Sequence, residues 1–238
     1  MKDKLFASDS SCEKFEFNAE VAQVFDDMLD RSIPLYRECR DLAVQFCLRY
    51  VKPRTCIYDL GCSAGAFLEE LTREIPSGLP VEVVGVDNSK PMLERARKRL
   101  EGKSVKLEEA DLADKSLSLK TASVVVLNYT LQFVPPAKRL HLIQKINSAL
   151  TDEGRLIVIE KVKGEHSESD AVFIELYHQF KRKMGYSALE ISRKRDALED
   201  VLISWTLTEN IELLHQAGFA KVEIFFKWNN FAGLIAQK

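Results

Sequence analysis

No uninterrupted apolar stretch in the chain approaches the ~20 residues needed to cross a bilayer, and the first ten residues lack the apolar core of a secretory leader. None of its five cysteines, Cys12, Cys39, Cys47, Cys56 and Cys62, forms a Cys-x-x-Cys pair. An odd count without metal-ligand spacing argues against a disulfide scaffold and against structural zinc. It suits a reducing cytoplasm, and no metal site is expected. An excess of charge is missing too: 34 Lys and Arg against 36 Asp and Glu leave a net charge of −2. Such a chain sets up no general field for nucleic acid or an anionic membrane surface. Low-complexity tracts, internal repeats and flexible linkers are also absent. What is present is ordinary for a folded protein: 238 residues, 46% hydrophobic and 29% charged, enough for one large domain spanning 1–238.

Hydrophobic periodicity organises the chain. It predicts helices over 19–30 and 36–51, separated at Ser32-Ile33-Pro34, where proline stops the first helix. Strands are expected over 55–60, 81–86, 104–109, 122–127 and 155–160, the last after a turn at Asp152-Glu153-Gly154. Helices are expected over 64–75, from the Ser89 cap with Pro91 in its first turn to Leu100, and over 136–150. Strands alternating with helices imply a mostly parallel sheet. From 168 to 203 the pattern is helical only, in two stretches around Gly185-Tyr186-Ser187, and reads as an insertion (about 165–203). A last helix (207–217) precedes two strands, 220–226 and 231–237, joined around Trp228-Asn229-Asn230. The expected fold is therefore α/β and Rossmann-like: a mostly parallel seven-stranded sheet with a C-terminal antiparallel hairpin, N-terminal helices, and a helical insertion after strand five. Residues 1–15 are polar and expected to be loosely held.

The most informative segment is Tyr58-Asp59-Leu60-Gly61-Cys62-Ser63-Ala64-Gly65, an apolar strand that runs into a glycine turn and then a helix. Gly61 allows a sharp reversal, and Gly65 lets the helix approach the strand. A second strand follows and ends at Asp87-Asn88, where an acid can accept both ribose hydroxyls of a nucleoside. The D-x-G-x-x-x-G spacing resembles the first motif of class I S-adenosylmethionine-dependent methyltransferases. A sulfonium cofactor carries no phosphate, and Asp59 would repel one. In open α/β sheets ligands lie beyond the carboxyl ends of the strands. That rule selects Gly61, Cys62, Ser63, Asp87, Asn88, Asp111, Leu112 and Asn128 as cofactor-binding candidates. Asp111 suits the adenine amino group and Asn128 the amino-acid portion. Gly61 to Gly65 also spells G-x-S-x-G, the nucleophile elbow of α/β hydrolases; that reading requires several strands before the elbow, and only helical patterns precede it.

Further motifs span nearly the whole chain: Phe25-Asp26-Asp27-Met28, Arg31-Ser32-Ile33-Pro34-x-Tyr36, Asp87-Asn88-Ser89-x-Pro91-Met92 and Asn128-Tyr129-Thr130-Leu131-Gln132-Phe133. To these are added Glu160-Lys161, His178-x-Phe180-Lys181-Arg182, the run from Gly185-Tyr186-Ser187 to Lys194-Arg195, and Phe231-x-Gly233-Leu234. Together they resemble carboxy-S-adenosylmethionine synthases, and the insertion motif is the specific part. The resemblance implies a reaction in which S-adenosylmethionine and prephenate give carboxy-S-adenosylmethionine and phenylpyruvate. Carbon dioxide lost from prephenate is captured at the cofactor's methyl carbon, and the product supplies a partner enzyme that carboxymethylates a tRNA wobble uridine. It further implies that Arg195 holds the new carboxylate and is the catalytic residue, that Tyr36 touches the cofactor, and that the protein is a homodimer. Direct tRNA binding is not expected, because consecutive basic residues on a helix splay ~100° apart. The recurrence of Phe173, Tyr177 and Phe180 reads as core or dimer surface rather than a ligand site. A conventional methyltransferase acting on a small molecule or tRNA, and a non-catalytic cofactor-binding module, remain alternative readings.

Overall fold

Four strands with apolar side chains on both faces explain the architecture. In the computed structural model, which describes residues 2–7 and 14–238, these are β1 (Cys56–Leu60), β2 (Glu82–Asp87), β4 (Ala122–Asn128) and β5 (Leu150–Lys161). Every residue of β1, and all of β4 but Asn128, is buried, as parallel strands covered by helices on both faces must be. With β3 (Lys106–Glu109), β6 (Lys221–Trp228) and β7 (Phe231–Gln237) they make one seven-stranded sheet of order β3-β2-β1-β4-β5-β7-β6. All pairs from β3 to β5 are parallel, and β7 runs antiparallel to both β5 and β6. The expected topology is thus present, with one difference. The Asp152-Glu153-Gly154 turn is taken into β5 as an irregularity: Ala122 pairs with Leu150, and Val124 pairs with Arg155. Leu150 is buried, so pairing starts ahead of the polar residues.

Helices α2 (Tyr36–Tyr50), α3 (Ala66–Glu74) and α4 (Lys90–Arg99) cover one face, and α5 (Pro136–Ala149) and α8 (Leu207–Gln216) the other. Local chemistry sets their ends. The Asn18 side chain accepts the Val21 N–H to start α1 (Ala19–Ser32), and Ser89 accepts that of Met92 to start α4. Reciprocal capping boxes, Ser187 with Glu190 and Thr206 with Glu209, start α7 (Ala188–Ala197) and α8. The insertion comprises α6 (Ser167–Lys183) and α7. It sits over the carboxyl end of the sheet, where Tyr177 contacts Phe231 of β7 with ring centroids 5.4 Å apart.

The N-terminal segment departs from expectation. Residues 8–13, which include Cys12, lie outside the described residues, but Asp3 is only 1% exposed. Its carboxylate accepts the Tyr186 hydroxyl at 2.6 Å and lies 3.8 Å from the Lys194 ammonium. Its backbone N–H donates to Asp27 at 2.7 Å, and its carbonyl accepts Arg31 at 3.1 Å. The Arg31 guanidinium in turn stacks 4.0 Å above the Tyr186 ring. A single acid therefore locks an otherwise polar segment to α1 and the insertion, because it is the counter-charge of a buried lysine. No helix among the described residues is long and apolar enough to cross a membrane.

Replacing Asp3 strands the Lys194 ammonium and the Tyr186 hydroxyl in a dry setting, a change that costs about 3 kcal/mol. Asp3→Ala should lower stability by roughly that amount in urea titration. A loss under about 0.5 kcal/mol, the range of an ordinary surface substitution, would mean that the segment is not anchored here.

Candidate active site

The parallel register brings the strand ends into one row. Asp59 of β1 stands level with Gly85 of β2 and Val126 of β4, so the residues that follow emerge together at one edge. There they line a cavity of about 220 Å³. Gly61, Cys62, Ser63, Asp87, Asn88, Asp111, Leu112 and Asn128, the residues selected by the strand-end rule, all line it, as does Tyr36 from the start of α2. Asp59 joins them, with Lys161 at the end of β5 and Lys194 from α7.

Gly61 is required by both conformation and space. Its φ is +83°, and a Cβ there would stand 2.4 Å from the Thr130 side chain. Ser63 also takes a positive φ, 47°, which aims its N–H at Asp87. The Asp87 carboxylate accepts the Ser63 N–H with one oxygen and the Ser89 N–H with the other, both at 2.8 Å. The turn after β1 and the start of α4 are thereby tied to one acid, whose remaining lone pairs face the cavity.

The loop after β4 is held by a different carboxylate. Glu160, buried in β5, accepts the backbone N–H groups of Thr130, Leu131 and Gln132 at 3.0, 2.7 and 3.0 Å. This fixes the 3₁₀ turn Leu131–Phe133 and the strained Tyr129 (φ 57°), keeping Asn128 in place.

Two acceptor atoms here have no partner among the described residues, Asp59 Oδ1 and Asn128 Oδ1. Buried acceptors left unmatched are costly. Burial, with the nearby Asp87 charge, pushes the Asp59 carboxyl up to about 8, and burial also raises Asp87. The arrangement calls for a ligand that brings N–H donors and positive charge to Asp59 and Asn128, and hydroxyls to Asp87. S-adenosylmethionine carries an ammonium, a sulfonium and a ribose diol that fit these residues, together with a carboxylate that must lie away from the acids.

Arg195 is the expected residue that lies elsewhere. Its side chain is 64% exposed, held by Asp196 at 2.8 Å and Ser192 at 3.3 Å, and it does not line the cavity. Its neighbour Lys194 faces inward instead. Tyr177, expected as core or dimer surface, also reaches the cavity, whereas Phe180 packs on Trp228 and Phe173 stands beside Lys227. Sequence reasoning passed over Lys161, Lys194, Tyr129, Tyr177 and Phe231 as lining residues. Only the strand-end position of Lys161 was a usable signal.

A methyltransferase-domain model matches residues 57–154. The carboxy-S-adenosyl-L-methionine synthase of Nautilia profundicola is 41% identical over 238 residues, covering all of both chains. That of Helicobacter pylori is 44% identical over 243 aligned positions, again end to end. Among solved structures, human N-acetylserotonin methyltransferase in complex with SAM superposes with a TM-score of 0.60 at 18% identity, over 92% of this chain and 55% of that one, a likeness of fold.

A cation bound beside Asp59 favours its ionised form, so binding below pH 8 must expel a proton. Calorimetry with S-adenosylmethionine between pH 6 and 7.5 should show affinity rising with pH, approaching tenfold per unit, roughly the limit for one coupled proton. Asp59→Asn should bind weakly and without this slope. An equal slope in the variant would assign the proton to another group.

Proposed function

Because the chain belongs to the carboxy-S-adenosyl-L-methionine synthase family, and is an S-adenosylmethionine-dependent transferase, we propose that it converts S-adenosylmethionine and prephenate to carboxy-S-adenosylmethionine and phenylpyruvate. In this reading the product is the carboxymethyl donor for a tRNA wobble uridine, used by a separate enzyme. The observation that carries the cofactor half is the row of unmatched acceptors, Asp59 Oδ1 and Asn128 Oδ1, beside an Asp87 already oriented by two backbone N–H groups.

In the proposed reaction prephenate loses carbon dioxide and hydroxide as its ring becomes aromatic, the S-adenosylmethionine methyl group gives up a proton and its carbon takes the carbon dioxide, and proton and hydroxide leave as water. Asp87 takes the ribose hydroxyls, Asp111 the adenine amino group, and Asp59 with Asn128 the ammonium. Gly61, Cys62 and Ser63 form the turn beneath it, with Asn88 and Leu112 at its flanks. Tyr36 stands at the cavity wall with its ring 6.1 Å from that of Tyr129. Tyr129 and Phe231 continue this wall at a centroid separation of 6.1 Å. An apolar wall excludes water, which would otherwise return a proton to the reacting carbon.

A product carboxylate beside a sulfonium needs a bidentate cation, and arginine provides the matching fork. Within one chain Arg195 points to solvent. We therefore assign it to the cavity of a second copy, in a homodimer that uses the insertion. α6 supports this, since Val172 and Leu176, one turn apart on one side of it, are exposed. Direct tRNA binding is not part of the reading: of Arg193, Lys194 and Arg195, the middle residue is buried and the last faces outward, so they form no common basic face. The buried, free thiols of Cys39, Cys47, Cys56 and Cys62 accord with a reducing cytoplasm, and we read the chain as a single domain.

Two experiments test this reading. Mass spectrometry of ligand released from protein incubated with S-adenosylmethionine and prephenate should show the cofactor heavier by one carboxyl group. Accumulation of S-adenosylhomocysteine instead would make the protein an ordinary methyltransferase. Arg195→Ala should retain S-adenosylmethionine but lose the carboxylated product. Co-expression with Asp87→Ala chains should partly restore product retention, because a mixed dimer has one intact site. No restoration would place the arginine and Asp87 in the same chain's site.

A further inference from the structure

The edge of the sheet carries a gradient of charge. In spatial order the strand ends present Asp111 after β3, Asp87 on β2, Asp59 on β1, Asn128 on β4 and Lys161 on β5, and all five line one cavity. Adjacent strands lie about 4.8 Å apart, so Lys161 stands roughly 14 Å along the edge from Asp87. A cofactor anchored at Asp87 and Asp59 meets acids over its own length. The next position beyond Asn128 is an ammonium, whose charge is wrong for a sulfonium.

Among the described residues no carboxylate lies within ion-pair distance of Lys161. Glu160 is committed to Thr130, Leu131 and Gln132 on the opposite face of β5. Asp170, the nearest acid to influence it, is engaged with the Gly164 N–H at 2.7 Å. The backbone N–H of Lys161 donates to Gln132 at 3.2 Å, and its ammonium lies 5.1 Å from the Tyr177 ring centroid. Lys194, the other cation lining the cavity, hydrogen-bonds Ser32 at 3.1 Å and shares Asp3 with Tyr186. Burial pulls both lysines below the usual ammonium range, Lys194 to about 8. Two lysines held against their solvation, with one acid between them, describe a subsite that awaits an anion. Its wall is aromatic: Tyr177 meets Phe231, and Phe231 meets Tyr129.

We infer that the ammonium of Lys161, with Lys194 as second cation, forms the subsite that recognises the carboxylate groups of the second substrate, an acid with a six-membered ring lying against Tyr129, Phe231 and Tyr177. This rests on the proposed reaction, whose second substrate is a dicarboxylate, and adds the residues that select it. Arg195 serves the carboxylate of the product and Lys161 that of the incoming acid, so the two cations separate in experiment.

The test uses Lys161→Met and Lys161→Arg in the full-length protein. Removing a partly buried charge that has no ion-pair partner among the described residues should leave the melting temperature of the methionine variant unchanged or raised, which also checks that it folds. Its dissociation constant for S-adenosylmethionine should stay within about twofold of the wild type. Its KM for prephenate should rise by about tenfold or more, the worth of one hydrogen bond to a charged group, and the arginine variant should recover most of that loss. Calorimetric binding of phenylpyruvate should fall in parallel, a readout independent of turnover. An unchanged KM in an active Lys161→Met protein overturns the inference. So does a selective loss of S-adenosylmethionine, which would assign Lys161 to the cofactor's own carboxylate. Should the wild type neither bind nor turn over prephenate, the proposed reaction falls; Lys161-dependent phenylpyruvate binding would then still support the subsite. If the methionine variant does not fold, Lys161→Gln carries the same comparison.

Discussion

Parallel pairing of β2, β1, β4 and β5 is the constraint on which the rest depends. Its register aligns strand ends that are far apart in sequence, so that Asp87, Asp59, Asn128 and Lys161 stand in a row. Two carboxylates then convert the row into a site. Asp87 gathers the turn after β1 and the cap of α4, and Glu160 gathers the loop after β4. Each does so by accepting backbone N–H groups, a rigid form of attachment that leaves the facing side chains free for a ligand.

The same row is electrostatically uneven. Burial and the Asp87 charge make Asp59 costly to ionise at one end, and burial pulls Lys161 and Lys194 below the usual ammonium range at the other. Hydrophobic substitutes at these positions would favour the unliganded fold. Ligands of complementary sign, as proposed, would relieve that tension, and a site can oppose stability in this way and still be retained.

Much of this was legible in the sequence. Apolar runs and helical patterns located the elements to within a few residues, since burial on both faces leaves β1 and β4 almost wholly apolar. The strand-end rule found Gly61 to Ser63, Asp87, Asn88 and Asn128, each just after an apolar run, and Asp111 and Leu112 after the short polar β3. Arg195 and Lys194 show where that reasoning stops. One residue on a helix is a turn of ~100°, and no local pattern says which of two adjacent cations faces inward. Asp3 was illegible for a different reason: an acid in a polar segment looks like any other until its partners, 183 and 191 positions later, are folded around it. Lys161 was named only within a motif, and its isolation from acids is a property of the packed structure.

The attachment of Asp3 to Tyr186 and Lys194 has a bearing on how the molecule is made. Synthesis delivers Asp27 and Arg31, which hold the Asp3 backbone, early, but five of the seven strands appear before either partner of its carboxylate exists. Contacts of such long sequence separation form late. The five parallel strand ends that carry Asp111, Asp87, Asp59, Asn128 and Lys161 are thus synthesised before the residues that latch the roof over them, while Phe231 of the cavity wall arrives later still.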